Sequence, residues 1–158
     1  MIYFDADKQA YGFEIQHYIA TVEDDVWAKY AGTDKWDIID GVFTDITNTD
    51  EYKKKKEEEK KEHVNSLRCT KRVLALVLKE LGVSYANLQT LIAANEDAQL
   101  EWDLCVELER SNPLLDILAA EIGISPTTID KIFKYANGEI GKEDFDETDM
   151  VKGGTANG

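Results

Sequence analysis

The sequence predicts an α+β protein: a small strand-rich N-terminal unit over 1–50, a charged helical spacer over 51–66 and a C-terminal bundle of about five helices over 67–140. Three observations predict this. Residues 1–50 hold short aromatic or β-branched runs parted by turn-forming residues. Residues 51–63 are polar on every helical side, which is the pattern of a solvated helix. Residues 67–140 repeat one grammar of a capping residue, a helically spaced apolar stripe and a glycine. The last stretch, 141–158, is acidic, contains glycine and has little to bury, and is expected to be a mobile tail.

In the first unit, Ile2 to Phe4 and Tyr11 to Ile15 flank the polar stretch Asp5 to Ala10 and predict a hairpin. Trp36, Ile38 and Ile39 face Val42, Phe43 and Ile46 across Asp40-Gly41. An Asp-Gly pair between apolar runs supplies the positive backbone angles of a type I′ turn, so this is the strongest strand signal in the chain. Between the hairpins Thr21 is expected to cap a helix running through Asp24 and Asp25 to Tyr30, closed by Gly32. In the spacer, Lys53 with Glu57, Lys54 with Glu58, Lys55 with Glu59 and Glu57 with Lys61 stand at i,i+4, each pair worth about 0.2–0.5 kcal/mol.

The bundle begins with the stripe Leu67, Leu74, Val77, Leu78 and Leu81, ended by Gly82. Ser84 caps a helix carrying Leu88, Leu91 and Ile92. Glu96 to Arg110 reads as one helix with two apolar rows, Ala98, Trp102, Cys105 with Val106 and Leu100, Leu104, Leu108, and is expected at the centre of the bundle. Asn112 and Ser125 each precede a proline, Pro113 and Pro126, that suits the first helical position. The two helices then run to Gly123 and close to Gly138.

Charge narrows the function. Thirty-two acids against 18 bases leave a net charge of −14, which repels phosphate backbones. LAAEIGISPTTIDKIF has the outline of a helix-turn-helix, but its second helix offers only Lys131 and Lys134 beside Asp130. DNA binding is therefore the weaker alternative, and closing a helical core the stronger. No apolar run approaches the ~18 residues of a membrane span, and MIYFDADKQ lacks the basic and apolar regions of a signal peptide, so synthesis in a cytoplasm without a membrane partner is expected. Cys69 and Cys105 form no CxxC and read as buried thiols; His17 and His63 belong to no metal motif and read as surface residues. Asp5, Asp7 and Glu14 fall short of a calcium loop, which needs further ligands and a glycine at Ala10. No nucleophile elbow or phosphate loop is present, so no catalytic, cofactor or metal residue is assigned, and a non-enzymatic role is expected.

Aromatic residues in the first unit exceed what so small a core needs. Tyr3, Tyr11, Phe13, Tyr18, Trp27, Trp36 and Phe43 are therefore the candidates for contact with a protein partner. Two other classes compete: an acidic inhibitor that mimics nucleic acid toward a host defence protein, and a subunit that self-associates through the units flanking the spacer. The spacer itself lacks the apolar a/d positions of a coiled-coil seam.

Trp36-Asp37-Ile38-Ile39-Asp40-Gly41-Val42-Phe43-Thr44-Asp45-Ile46-Thr47, the helix around Thr70 to Leu81, Glu101-Trp102, Asn112-Pro113-Leu114 and Ile129-Asp130-Lys131-Ile132-Phe133 follow in an order that resembles the small proteins encoded near the tail-fibre genes of tailed bacteriophages and prophages. The resemblance covers about residues 1 to 138 and rests on caps, turns and core positions. It implies a tail-associated or fibre-assembly protein without cofactor, whose partner is a tail-fibre or other tail protein, made in the host cytoplasm and destined for the virion tail if it is a structural component.

Overall fold

In the computed structural model, which describes residues 1–151, seven α-helices and three small antiparallel sheets form among the described residues, so the protein is α+β. The chain divides into two units, Met1–Glu59 and the residues from Lys60 on.

The first unit is built on Ile2–Phe4 (β1), the middle strand of a sheet with Ala10–Tyr11 (β2) and Ala20–Val22 (β3) at its edges. The first hairpin is shorter than expected, since Phe13 to Ile15 leave the ladder. Its turn is held by Asp5, whose Oδ1 accepts the amides of Asp7 and Gln9, each at 2.9 Å. Thr21 is no helix cap: it pairs with Tyr3 in the sheet, and helix Asp24–Tyr30 (α1) starts after Glu23 without a side-chain cap. A Val-Thr-rich run beside a free strand edge gains more from ladder hydrogen bonds than one cap supplies. Trp36–Ile39 (β4) and Val42–Asp45 (β5) pair as expected, with Asp40 at φ 51° and Gly41 at φ 77° in the turn.

Helix Asp50–Ser66 (α2) covers the charged stretch, and the boundary between the two units falls within it. At its start Asp34 accepts from Lys56 at 2.7 Å and Lys55 at 3.3 Å, which holds the Asp34 carboxyl down at about 2. Of the four i,i+4 pairs expected, Lys54–Glu58 and Lys55–Glu59 form among the described residues, at 4.0 and 3.8 Å. Near the helix's other end Val64 is buried.

The second unit packs five helices, Lys71–Glu80 (α3), Tyr85–Ala93 (α4), Glu96–Leu104 (α5), Pro113–Ile122 (α6) and Pro126–Ala136 (α7), with a two-stranded ribbon of Arg68–Thr70 (β6) and Glu107–Glu109 (β7). The expected caps Ser84, Asn112 and Ser125 accept backbone amides in the first turns of α4, α6 and α7, and Thr70 and Asn95, which the sequence reading did not assign, do the same for α3 and α5. Gly123 closes α6 at φ 85°, a left-handed angle that favours glycine.

The ribbon overturns one expectation. Glu96 to Arg110 is not a single helix, because α5 stops at Leu104 and the chain turns extended to pair with β6. Leu108 and Cys69, opposite each other in register, point inward, while Arg68 reaches Glu107 at 3.1 Å and Glu109 at 3.8 Å on the outside. Nor is α5 enclosed on two sides: Ala98 and Trp102 are buried, whereas Leu100 and Leu104 are exposed, as is Val106 beyond its end.

Residues 141–151 also depart from the expected tail. Phe145 packs edge-on against Tyr135 with ring centroids 6.0 Å apart, the Val151 amide donates to the Leu81 carbonyl at 3.0 Å, and Asp149 is only 3% exposed. Asp149 accepts from Thr128 Oγ1 at 2.7 Å and Lys131 Nζ at 2.8 Å. Residues 152–158 of that expected tail lie outside the described residues.

Candidate partner-binding surface

The pleat of β1 divides the candidate aromatics into two sets. Successive side chains on a strand point to opposite faces, so Phe4 and Tyr3 cannot share one. Phe4 points inward, is fully buried and stands 5.3 Å from the Trp27 ring, 5.3 Å from Trp36 and 5.8 Å from Phe43. Trp36 and Phe43 stack at 5.3 Å. With Ala20 and Ile38 these rings form the core of the first unit. Trp27, Trp36 and Phe43, each half-buried, thus give part of their surface to packing in this core, and only what remains of it is open to a partner.

Tyr3, Tyr11, Phe13 and Tyr18 gather on the opposite side. Tyr3 and Tyr11 are direct cross-strand partners, Tyr18 meets Tyr3 edge-on at 5.2 Å and Phe13 meets Tyr11 at 5.9 Å, giving the row Tyr18–Tyr3–Tyr11–Phe13. Phe13 is 67% exposed and Tyr18 48%, so the ends of the row face solvent while its middle is half-buried. Edge-to-face contacts of this kind hold rings in fixed orientations and add about 0.5–1.5 kcal/mol each beyond buried area. The Tyr11 hydroxyl donates to Asp5 Oδ2 at 3.0 Å; that bond raises the tyrosine's pKa, and backbone amides led by that of Gln9 hold the Asp5 carboxyl below its ordinary value. Asp5 therefore stays ionised as a turn-former and aromatic anchor.

Three exposed aliphatics escaped the sequence reading as surface residues. Ile39 and Val42 are the last pair of β4 and β5 before the turn, and alternation puts them on the face opposite Ile38 and Phe43. A Cβ on Gly41 would lie 3.4 Å from the Ile19 carbonyl oxygen, so the exposed Ile19 adjoins this turn. The signal was present in the period of two along Trp36–Ile39, which assigns Ile39 outward.

Burial pushes the Cys69 thiol up to about 11, leaving it protonated and unreactive, and the half-buried Cys105 is raised by its contact with Glu101 at 3.4 Å. Cys105 is therefore less buried than expected. His63 contacts Glu139, and His17 is exposed. Among the described residues no group of three or more His, Cys, Asp or Glu is arranged to hold a metal ion, and no helix is long and apolar enough to cross a membrane.

The two helices of the helix-turn-helix outline pack into the core of the second unit. Thr128, Ile129, Ile132 and Phe133 of α7 are buried, Lys131 is held by Asp149, and Asp130 accepts Arg110 Nε at 2.6 Å. Arg110, 6% exposed, also reaches Asp116 of α6 at 3.1 Å, so one guanidinium from the end of the ribbon ties the two helices together. Compared with protein-family models, with curated proteins and with solved structures, the chain matches none.

Proposed function

We propose that the protein is a non-enzymatic protein-interaction module of a phage tail, either a component of the virion tail or an assembly factor for a tail-fibre or receptor-binding protein, made in the host cytoplasm. The observation that carries the interaction role is the outward row Tyr18–Tyr3–Tyr11–Phe13, whose exposed ends sit on a sheet whose core is already filled by other rings. Rigid aromatics lose little conformational entropy on binding and are enriched where interfaces concentrate their energy. The tail context rests on the resemblance carried by the WDIIDGVFTDIT hairpin and the Asn-Pro and Ser-Pro helices. An acidic mimic of nucleic acid is the less favoured reading, because the 32 acids are scattered through turns, caps and polar helix faces, and several, Asp5, Asp34, Asp37, Asp116, Asp130 and Asp149 among them, are engaged in local turns and ion pairs.

Co-expression with a candidate tail-fibre protein from the same genome tests the reading. The expected result is co-purification and higher fibre solubility, lost in the Phe13→Ser/Tyr18→Ser variant without a change in thermal unfolding. Absence of any complex with the wild-type chain, or a complex indifferent to both substitutions, overturns it.

A further inference from the structure

The second unit carries a groove of about 490 Å³ that is independent of the aromatic row. Lys71, Arg72, Ala75, Leu76 and Lys79, spaced by threes and fours along α3, form one wall, and Tyr85 and Trp102 complete the lining. This is the outer stripe of α3, since Leu74, Val77 and Leu78 on its other side fill the core. Leu76 is 50% exposed and Tyr85 54%, while Trp102 is 6% exposed with Lys71 Nζ 5.6 Å from its ring centre. The volume lies within the range of about 300–1,000 Å³ common to ligand sites.

Charge singles the groove out. In a chain of net charge −14, its lining contains three cations and no acid. Lys71 is occupied, donating to the Trp102 carbonyl oxygen. Arg72 and Lys79 make no ion pair or side-chain hydrogen bond among the described residues; lysines such as Lys29 and Lys53 are also unpaired, but Arg72 and Lys79 stand in a groove lined by the exposed Leu76 and Tyr85. Two free cations thus flank apolar side chains that water covers poorly. The net negative charge opposes an acidic partner at long range, but at physiological ionic strength that field is screened beyond about 8 Å and the cations beside the groove dominate.

We propose that this groove binds an acidic amphipathic segment of a protein partner, with an apolar anchor against Leu76, Tyr85 and Trp102 and flanking carboxylates paired with Arg72 and Lys79. The anchor supplies affinity and the carboxylates set orientation, because exposed ion pairs contribute little energy by themselves. The site does not depend on the tail reading.

The test titrates the full chain with helical peptides that each carry a central Leu, Phe or Met anchor flanked by glutamates, alongside versions with Gln or Lys in place of every Glu. Binding is followed by chemical shifts of the Trp102 indole and the α3 amides. The expected affinity order is Glu over Gln over Lys, with shifts confined to residues 71–79, Tyr85 and Trp102. Leu76→Ser should weaken the Glu peptide at least about tenfold, the scale of one exposed-to-buried leucine. Arg72→Glu/Lys79→Glu should reverse the preference between Glu and Lys peptides, and Phe13→Ser/Tyr18→Ser should leave all of it unchanged, which separates this site from the aromatic row. Unchanged thermal unfolding of the variants shows that the fold persists. The proposal is overturned if no peptide of the panel shifts these signals, if Glu and Lys peptides bind equally, or if the chain alone dimerises through Leu76, which would make a second copy the occupant.

Discussion

The two units solve burial with different materials. In the first, strands of two to four residues offer few inward positions, so the buried set is Phe4, Ala20 and Ile38, widened by the rings of Trp27, Trp36 and Phe43. In the second, helices of nine to eleven residues each turn a stripe inward, and twenty residues, nearly all aliphatic, share one core. A short strand exposes as many positions as it buries, so an aromatic-rich strand leaves aromatics outside; an amphipathic helix need not. The difference teaches where to look for contact residues: at the aromatics that the pleat excludes from the small core, and at exposed apolar residues on helices only where something else, such as free cations, marks the face.

The sharpest way to break this comparison is to charge the larger core. Ile132 is fully buried in α7, and Ile132→Asp places a carboxylate where no partner exists, at a cost of more than about 4 kcal/mol. The second unit should lose its cooperative transition, read by far-ultraviolet circular dichroism, because most of the helix lies there. A variant that melts at the wild-type temperature would show that α7 does not close the core.

Next in size is Phe4→Ala, which removes the hub of the small core at about 3–5 kcal/mol. So few buried residues leave little reserve, and the near-ultraviolet signal of Trp27 and Trp36 should vanish. Helical signal from the second unit should persist. Loss of both signals together would mean that the units do not unfold independently.

These predictions draw on features unequally legible in the sequence. Helix starts at Ser84, Asn112 and Ser125 and the Asp40-Gly41 turn were readable because capping and positive φ are local requirements that few residues meet. β3 and the β6–β7 ribbon were not, because a three-residue strand exists only through its partner, 16 to 41 positions away in these cases. Leu104 and Leu108 stand at i,i+4 and mimic a helix row; the alternation Leu108-Glu109-Arg110, with Arg110 buried on two aspartates, was the competing signal. Of the aromatic site, the residue types were legible but not their division, since Trp27, Trp36 and Phe43 face inward only because hairpin and helix pack against Phe4. Cap removal tests the readable part at smaller scale: Asn112→Ala and Ser125→Ala should each lower stability by about 1 kcal/mol, measured by urea unfolding of the second unit. No loss in either would leave the prolines alone responsible for those helix starts.

The smallest effect concerns residues 141–151, where a polar contact does what apolar area does elsewhere in the second unit. Burial alone would raise the Asp149 carboxyl, but Lys131, the Asp146 amide and Thr128 outweigh it and hold the carboxyl below its ordinary value. A depressed carboxylate stabilises the folded state fully above the unfolded value of about 3.9, and that contribution disappears as pH falls through the lower folded value. Docking of 141–151 should therefore be insensitive to pH near neutrality and weaken only below about pH 4. The Val151 amide, bonded to Leu81, reports it by hydrogen exchange. In Asp149→Asn that amide should exchange faster at neutral pH and lose its acid dependence, because a neutral amide cannot replace the ion pair with Lys131. Equal protection in wild type and variant would assign the docking to Phe145 and Val151 instead, making this segment an extension of the aliphatic core.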